Sequence, residues 1–206
     1  MSRLALLGAS GHGRVVADAA FATGFTEVFF FDDAWPAKST CGPWGVSGST
    51  ADLLADGSHH DAVIVAIGDN RIRLSKAEQL ETSGVRLSRV VHPSSMVSRH
   101  AEVHDGVVVL AGAIVNIGAQ IGFSAIVNSG AIVEHDCRLE KGVHVSPGAV
   151  LAGGVAVGAR TWIGAGAIVK EGVVIGSDVT VGAGAVVIRD VPDGVTVVGV
   201  PARSIK

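Results

Sequence analysis

Large aromatic side chains are scarce in this sequence of 206 residues: aromatics make up 4% of it, and tyrosine is absent. Hydrophobic residues nevertheless account for 48% of the chain, and glycine occurs 28 times. Because protein interiors are close-packed, a core without large rings has to be filled by many small side chains of similar size. The composition therefore predicts a narrow core built from a repeated unit.

Other absences limit the function. The sequence has no run of basic residues and a formal net charge of -3, so we expect no binding to nucleic acid. No apolar run approaches the length of a membrane span, and the N-terminus MSRLALLGASGHG does not resemble a signal peptide, so we expect a cytoplasmic protein. The pair His59-His60 lacks a third ligand at metal spacing, so we expect no metal. Cys41 and Cys137 are expected to be reduced thiols in different domains.

The second half of the sequence repeats with a hexapeptide period. Each sixth position from Val91 to Val187 is Val, Ile or Leu, and a second class of positions, from Ser95 to Val191, is small or β-branched. A period of this length fits neither a helix nor a plain alternating strand. It predicts a stacked coil of short parallel strands, in which three hexapeptides make one triangular turn. Because such a coil is held by neighbour stacking, its ends and edges need a cover, from another domain or from oligomerisation.

The first ninety residues follow an α/β pattern. Strands at 3–7, 27–31 and 62–67 and helices at 14–22 and 72–81 predict a small Rossmann-like domain with a parallel sheet, so we divide the chain into domains at 1–90 and 91–206, the second ending in a C-terminal tail. Open sheets bind ligands at the carboxyl ends of their strands. We expect one crevice there, lined by Asp32 and Asp33 together with Gly68-Asp69-Asn70, and we expect Ser10 and Gly11 of the first loop to bind the substrate beside it.

The glycine loop GASGHG has two interpretations. Its spacing, G-x-x-G-x-G, does not match the dinucleotide fingerprint G-x-G-x-x-G. The loop is either a tight turn between strand and helix, or a backbone cradle for an anion such as a nucleotide diphosphate. Asp32 and Asp33 accordingly either form a solvated turn or accept hydrogen bonds from a ribose or a base.

Three polar residues, Glu134-His135-Asp136, interrupt the repeat in the stretch VNSGAIVEHDCRLEKGVHVSP. With three hexapeptides per turn, His135 lies in line with Ile117 below and Gly153 above. Since Gly153 has no side chain, a long thin molecule could lie along this strip with its end at His135. Histidine titrates near neutrality and suits general-base catalysis, and an adjacent carboxylate can orient its ring.

The combination of these parts resembles a known family. A small sheet domain with GASGHG, a hexapeptide coil with EHDC and a C-terminal GVPAR are together similar to the sugar O- and N-acetyltransferase family of hexapeptide-repeat acyltransferases. That family includes sialic acid O-acetyltransferases and N-acetyltransferases of UDP- or GDP-linked 4-amino sugars. The resemblance implies a left-handed parallel β-helix, a hand that runs against the usual right-handed crossover. It also implies a homotrimer, with acetyl-CoA lying between subunits and the nucleotide sugar held by the N-terminal domain.

The same resemblance implies residue roles. His135 matches the catalytic histidine, Asp136 its acidic neighbour, and Asn128 an asparagine near the sugar; His12 matches a histidine on the sugar-nucleotide side. On the coenzyme side the resemblance implies His144, Gly153, Gly182 and Ala183.

We therefore expect an acetyl-CoA-dependent N-acetyltransferase that acts on a nucleotide-linked 4-amino-4,6-dideoxy sugar in bacterial surface-glycan biosynthesis, by direct transfer with His135 as general base. Two alternatives stay open: an O-acetyltransferase for sialic acid or another sugar, and a non-catalytic sugar-nucleotide-binding trimer. An acetyl-cysteine on Cys137 is a rival mechanism. Because Cys137 occupies the same inward position as Ala131 and Val143, we expect a buried structural thiol instead.

Overall fold

The computed structural model describes residues 2–56 and 60–205, and it begins with an α/β unit. Its elements are β1 (Arg3–Leu7), α1 (Gly11–Ala22), β2 (Glu27–Phe31), β3 (Thr40–Cys41), β4 (Trp44–Gly48), α2 (Thr50–Asp56), β5 (Ala62–Val65) and α3 (Asn70–Thr82). The strands lie in the order β3-β4-β2-β1-β5. β1 pairs in parallel with β2 and β5, and β2 pairs in parallel with β4.

This unit corrects several predictions. The sheet is mixed rather than purely parallel, because β3 and β4 form an antiparallel hairpin whose turn contains Gly42 at φ +63°. Helix α1 begins at Gly11 rather than at residue 14, so the second half of GASGHG is helical. The strand predicted to reach residue 67 ends at Val65. Elements β3 (TC) and β4 (WGVSG) escaped prediction because they contain few apolar residues, and α2 (TADLLAD) is too short for a helix to show a clear hydrophobic period.

The rest of the described chain is the predicted left-handed parallel β-helix, which has three faces. Face 1 contains β6 (Val90–Val91), β9 (Val108–Val109), β12 (Ile126–Val127), β15 (His144–Val145), β18 (Trp162–Ile163), β21 (Thr180–Val181), β23 (Thr196–Val198) and β24 (Arg203–Ser204). Face 2 contains β7 (Met96–Val97), β10 (Ile114–Val115), β13 (Ile132–Val133), β16 (Val150–Leu151), β19 (Ile168–Val169) and β22 (Val186–Val187). Face 3 contains β8 (Glu102–Val103), β11 (Gln120–Ile121), β14 (Arg138–Leu139), β17 (Ala156–Val157) and β20 (Val174–Ile175).

The coil keeps the predicted register of three hexapeptides per turn, as in the pairing of Ile114 with Ile132 and of Ile132 with Val150. The aliphatic residue of each hexapeptide and the small residue that follows it point inward and form one continuous core. The register is broken only near the C-terminus of the described chain, where Thr180 pairs with Thr196. The chain then turns back into β24, which is antiparallel to β23.

The N-terminal unit covers the first turns of face 1, around β6 and β9. Val90 and Val108 of the coil share one hydrophobic cluster with Leu4, Phe30 and neighbouring residues of the N-terminal sheet. The later turns of face 1, from β15 towards the C-terminal end of the coil, carry a groove. Helix α1, which follows β1, reaches the start of that groove, because the ring centroid of His12 lies 6.2 Å from that of His144. No helix in the described residues combines the length and apolarity needed to cross a membrane.

Candidate active site

His135 and Asp136 form a hydrogen-bonded pair at the corner between face 2 and face 3. The distance from His135 Nδ1 to Asp136 Oδ2 is 2.8 Å. Because a carboxylate accepts, the ring donates from Nδ1, and Nε2 keeps a lone pair. The two side chains are 59% and 73% exposed. Asp136 has a φ of 59°, a left-handed conformation that aspartate tolerates better than most residues. The arrangement is that of a general base with an orienting carboxylate.

Glycines of the adjacent coils make room for this pair. A Cβ atom on Gly153 would lie 2.5 Å from His135 Nε2 and 2.6 Å from its Cε1, so the ring lies against the Gly153 backbone. A Cβ atom on Gly118 would likewise overlap Asp136 Oδ1. Glu134 is held separately, because its Oε2 accepts a hydrogen bond from Asn116 Nδ2 at 2.9 Å. The predicted juxtaposition of His135 and Gly153 is present, but the ring itself fills part of the strip predicted for a thin molecule.

Asn128 and His144 form a second polar pair, at the start of the groove on face 1. The backbone N–H of Ser129 donates to Asn128 Oδ1 at 2.8 Å, which turns Asn128 Nδ2 towards His144 Nε2 at 3.0 Å. Since an amide NH₂ donates, Nε2 of His144 accepts and the ring is neutral. His144 is buried, and this burial, together with the charge of Arg73 and the nearby His12, lowers its pKa to about 3.

The groove continues upward along face 1 and has a volume of about 590 Å³. It runs from Asn128 and His144 past Trp162 to Gly182 and Ala183. The Trp162 ring stacks on His144 with centroids 5.0 Å apart, and its Nε1 donates to Ser146 Oγ at 2.6 Å. Most of the exposed lining is apolar. Three predicted coenzyme residues, His144, Gly182 and Ala183, thus share one groove, whereas Gly153 lies apart from them beside His135.

A separate crevice of about 230 Å³ opens at the carboxyl ends of β1 and β2. Its lining includes Ser10, Asp32 and Asp33 among the predicted residues, and also Ile72 and Lys76 of α3. Gly11, the first residue of α1, is exposed next to Ser10. The crevice is therefore framed by the glycine loop on one side and by α3 on the other.

Both aspartates of the crevice are anchored. Burial acts to raise the pKa of Asp32, but hydrogen bonds from the backbone of Ala34 and Ala9 and the contact with Lys38 outweigh it, so the pKa is lowered. For Asp33 burial again acts upward and is outweighed, by Lys76 and by Thr50, which lowers the pKa to about 2. The Asp33–Lys76 ion pair measures 2.6 Å. Asp32 ties the glycine loop to β2, and Asp33 remains 51% exposed towards the crevice.

The structure does not bring Gly68 and Asn70 into this crevice. Asn70 is buried between α3 and the coil, where its Nδ2 donates to the carbonyls of Arg160 and Thr161. The carbonyl of Gly68 accepts from Arg73 at 3.0 Å. His12 lies beneath the loop with its ring centroid 6.2 Å from that of His144, so it joins the coil side of the site. Burial and the charge of Arg73 lower the pKa of His12 to about 4.

Sequence reasoning missed Arg73. It is 1% exposed, and it lies on α3 between the crevice and the coil. A signal was available, because the buried positions of α3 recur at helical spacing (Asn70, Arg73, Leu74, Ala77 and Leu80). An arginine on the buried face of a helix is rare unless its charge has partners.

Cys137 is fully buried, and its Sγ donates to the carbonyl of Ala152 at 3.1 Å. Burial raises the pKa of this thiol, so the thiolate that covalent chemistry needs is disfavoured. In the described residues no group of three or more His, Cys, Asp or Glu side chains is arranged to hold a metal ion. His59 lies outside the described residues, and the ring of His60 packs against Phe29 and Phe31.

Comparison with known proteins identifies both parts of the chain. The PglD N-terminal domain family matches residues 3–80, and the bacterial transferase hexapeptide family (six repeats) matches residues 154–189. The acetyltransferase domain of PglB from Neisseria gonorrhoeae FA1090, in complex with acetyl coenzyme A, is 41% identical, with 98% of each chain covered and a TM-score of 0.94. PerB from Caulobacter crescentus, in complex with CoA and GDP-perosamine, is 39% identical, with 100% of this chain and 98% of that chain covered and a TM-score of 0.93.

These likenesses extend over essentially the whole chain, at an identity that far exceeds what a shared fold alone would give. They agree with the two-part architecture described above, an α/β unit followed by a hexapeptide coil. The chain is an acetyltransferase, and it belongs to the sugar O- and N-acetyltransferase family of hexapeptide-repeat acyltransferases.

Proposed function

We propose that this enzyme transfers the acetyl group of acetyl-CoA to the amine of a nucleotide-linked 4-amino-4,6-dideoxy sugar, in bacterial surface-glycan biosynthesis, with His135 as general base. The complexes of PglB with acetyl coenzyme A and of PerB with CoA and GDP-perosamine support both substrate classes. The reaction takes place in the cytoplasm, where acetyl-CoA is made and used.

The observation that carries this proposal is the 2.8 Å hydrogen bond between His135 Nδ1 and Asp136, because it leaves Nε2 able to accept a proton. The amine nitrogen attacks the thioester carbonyl carbon and gives a proton to Nε2. A C–N bond forms, the C–S bond then breaks, and the proton passes from the ring to the departing sulfur, so coenzyme A leaves as its thiol. Asp136 stabilises the imidazolium in between, and general-base catalysis of this kind is typically worth about 10²- to 10⁴-fold.

Each substrate has a place in this scheme. The domain of residues 1–90 holds the nucleotide in the crevice at Ser10, Asp32 and Asp33, with the sugar extending towards His12 and Asn128. Acetyl-CoA lies in the groove on face 1 of the second domain, residues 91–206, along His144, Gly182 and Ala183. A groove of about 590 Å³ with mostly apolar exposed lining suits the long, flexible arm of the coenzyme.

The catalytic unit is a homotrimer. His135 lies at the corner of faces 2 and 3, whereas the groove lies on face 1, so a neighbouring chain is needed to bring a base to the thioester. Face 2 has the character of an interface, because the outward residue of every strand on it is apolar: Met96, Ile114, Ile132, Val150, Ile168 and Val186. Met96 is 70% exposed and Ile168 46% exposed in the single chain. The other four residues are partly exposed, and a contiguous apolar stripe of this length is typical of a subunit contact.

The first test is a thiol-release assay with acetyl-CoA and a panel of UDP- and GDP-linked 4-amino-4,6-dideoxy sugars, with free sialic acid and serine beside them. We expect turnover with one amino-sugar nucleotide and its loss in His135→Ala. Release with sialic acid alone would favour the O-acetyltransferase. If His135→Ala keeps near-wild-type turnover at saturating substrates, His135 is not the base.

A second test addresses the shared site. The variants are His135→Ala, which removes the base, and His144→Ala, which removes a side chain of the coenzyme groove, and we expect each to be inactive alone. They are unfolded together, mixed in equal amounts and refolded. If the base comes from one chain and the groove from its neighbour, random assembly restores about a quarter of the sites. If each chain carries a complete site, the mixture stays inactive. Light scattering on the wild type checks the trimer itself.

A further inference from the structure

Arg73 is a buried cation whose hydrogen bonds all go to carbonyl or amide oxygens in the described part of the chain. Its Nε donates to the Ser124 carbonyl at 2.8 Å, and its Nη2 to the Gly142 carbonyl at 2.8 Å and to Asn70 Oδ1 at 2.9 Å. Its Nη1 donates to the carbonyls of Ile67 and Gly68 at 3.1 and 3.0 Å. Every N–H of the guanidinium is thus used.

These acceptors belong to separate parts of the fold. Ile67 and Gly68 form the turn that follows β5, beside the crevice. Ser124 and Gly142 occupy the same corner of the coil, between faces 3 and 1, in successive turns; both have positive φ. The Arg73 side chain therefore holds the crevice, helix α3 and two turns of the coil at one point.

The outer contacts of α3 with the coil are of a different kind. Arg71 pairs with Asp178 at 2.9 Å, but its side chain is 73% exposed. Lys141 pairs with Glu78 at 2.6 Å, and both side chains are about half exposed. Exposed ion pairs of this kind contribute little to stability. The alignment of α3 with the coil therefore depends on its buried contacts, those of Arg73 and the two hydrogen bonds of Asn70.

The charge of Arg73 also reaches the polar groups at the start of the groove. Burial lowers its pKa to about 10, with Asp69 acting in the opposite direction, so it stays charged near neutrality. Its charge contributes to the lowered pKa values of His12 from α1 and of His144 from the coil. These two imidazoles lie next to each other, His144 contacts Asn128, and the proposed function directs the sugar towards this group. Both rings are neutral near pH 7.

We propose that Arg73 is a positioning residue for acetyl transfer: it fixes the nucleotide-sugar crevice against His144 and Asn128 of the coil, and it holds a positive charge beside the acceptor amine. This inference rests on the proposed function. A fixed positive charge disfavours the ammonium form of a nearby amine, and only the neutral amine is a nucleophile. Arg73 therefore supports the reaction through both geometry and charge while touching neither substrate.

The test compares Arg73→Met, which removes the charge, with Arg73→Lys, which keeps it, and uses Arg71→Met on the same helix as the control. Kinetics are measured for both substrates across pH. For Arg73→Met we expect kcat/KM for the nucleotide sugar to fall about 10²-fold. We also expect the rise of activity with pH to shift upward by about one unit. In Arg73→Lys we expect kcat/KM for the nucleotide sugar to fall, while the pH dependence of activity is the same as in wild type. Arg71→Met should match wild type in both.

A readout without activity separates this inference from the proposed function. The imidazole nitrogens of His12 and His144 are followed by nitrogen-15 NMR from about pH 8 down to about pH 3, so that the range reaches their lowered pKa values of about 4 and about 3. Removing the charge should let both rings protonate at higher pH in Arg73→Met, while Arg73→Lys keeps the wild-type titration. If Arg73→Met does not fold, the Lys variant alone decides, through loss of kcat/KM with an unchanged pH profile. The inference is overturned if folded Arg73 variants show wild-type kinetics, or lose kcat/KM equally for both substrates while titration is unchanged.

Discussion

Replacing Gly153 by alanine tests the His135 site with a change of one methyl group. The new Cβ would lie 2.5 Å from His135 Nε2, whereas ordinary contact begins near 3.4 Å. The imidazole is the exposed end of a flexible side chain, so it will swing away instead of forcing the backbone apart. Misplacing a catalytic group by about 1 Å can cost about 10²-fold in rate, or about 2.7 kcal/mol of transition-state stabilisation.

The neighbouring residue supplies a matched control. Gly154 has a φ of +69°, and nothing lies within 4 Å of a Cβ built on it. Gly154→Ala therefore leaves the His135 ring in place but forces alanine into the left-handed region, at a cost of about 1–2 kcal/mol. For a chain of this size each kcal/mol lowers Tm by about 2–4 °C.

The two variants should thus show opposite behaviour. In Gly153→Ala we expect kcat to fall about 10²-fold while Tm stays within about 2 °C of wild type. In Gly154→Ala we expect Tm to fall while kcat is nearly unchanged. Thiol-release kinetics and thermal melts on the same preparations measure both. Wild-type kcat in Gly153→Ala would refute the reasoning, because the ring position that the structure gives would then not matter for transfer.

Three further predictions concern the same site. Asp136→Asn should fold normally, since asparagine also accepts a left-handed φ, but should lower kcat about 10- to 100-fold because the His135 imidazolium loses a charge-assisted hydrogen bond; an unchanged kcat would remove Asp136 from the mechanism. Acid should destabilise the protein early: His12 and His144 have folded pKa values of about 4 and about 3 against 6.5 when unfolded, so the unfolded state binds more protons below pH 6.5. Each histidine therefore lowers the free energy of unfolding by about 1.4 kcal/mol per pH unit as the pH falls from 6.5 towards its folded pKa. Denaturant melts of wild type and His144→Gln at pH 7 and pH 5 measure this free energy, and it should depend less on pH in the variant. Cys137→Ala should keep its activity and lose about 1 kcal/mol of stability, whereas a folded but inactive variant would support an acetyl-cysteine.

The coil and the contact between His135 and Gly153 were accessible from sequence because the repeat fixes geometry. A constant step of three hexapeptides puts His135 against Gly153, whatever the rest of the chain does. The N-terminal unit was less predictable, because its short elements β3, β4 and α2 have no period and their place depends on long-range pairing.

The errors concern residues at the contact between the two parts. Asn70 follows a strand and was expected in the crevice, yet its side chain is buried against the carbonyls of Arg160 and Thr161. Arg73 belongs to no recognisable motif. Both depend on which helix face meets which corner of the coil. The spacing in α3 indicates the buried face of the helix, but it does not encode the corner of the coil that this face meets.

The sequence by itself determined the hexapeptide coil, its small-residue core and the His135–Asp136 pair, because these follow from a local repeat and from neighbours in the chain. Only the tertiary structure decided that Arg73 ties the turn beside the crevice to the coil, and that His12 and His144 meet near it. The reason is physical: a buried charge takes its partners from segments far apart in sequence, and their meeting is settled by packing rather than by period.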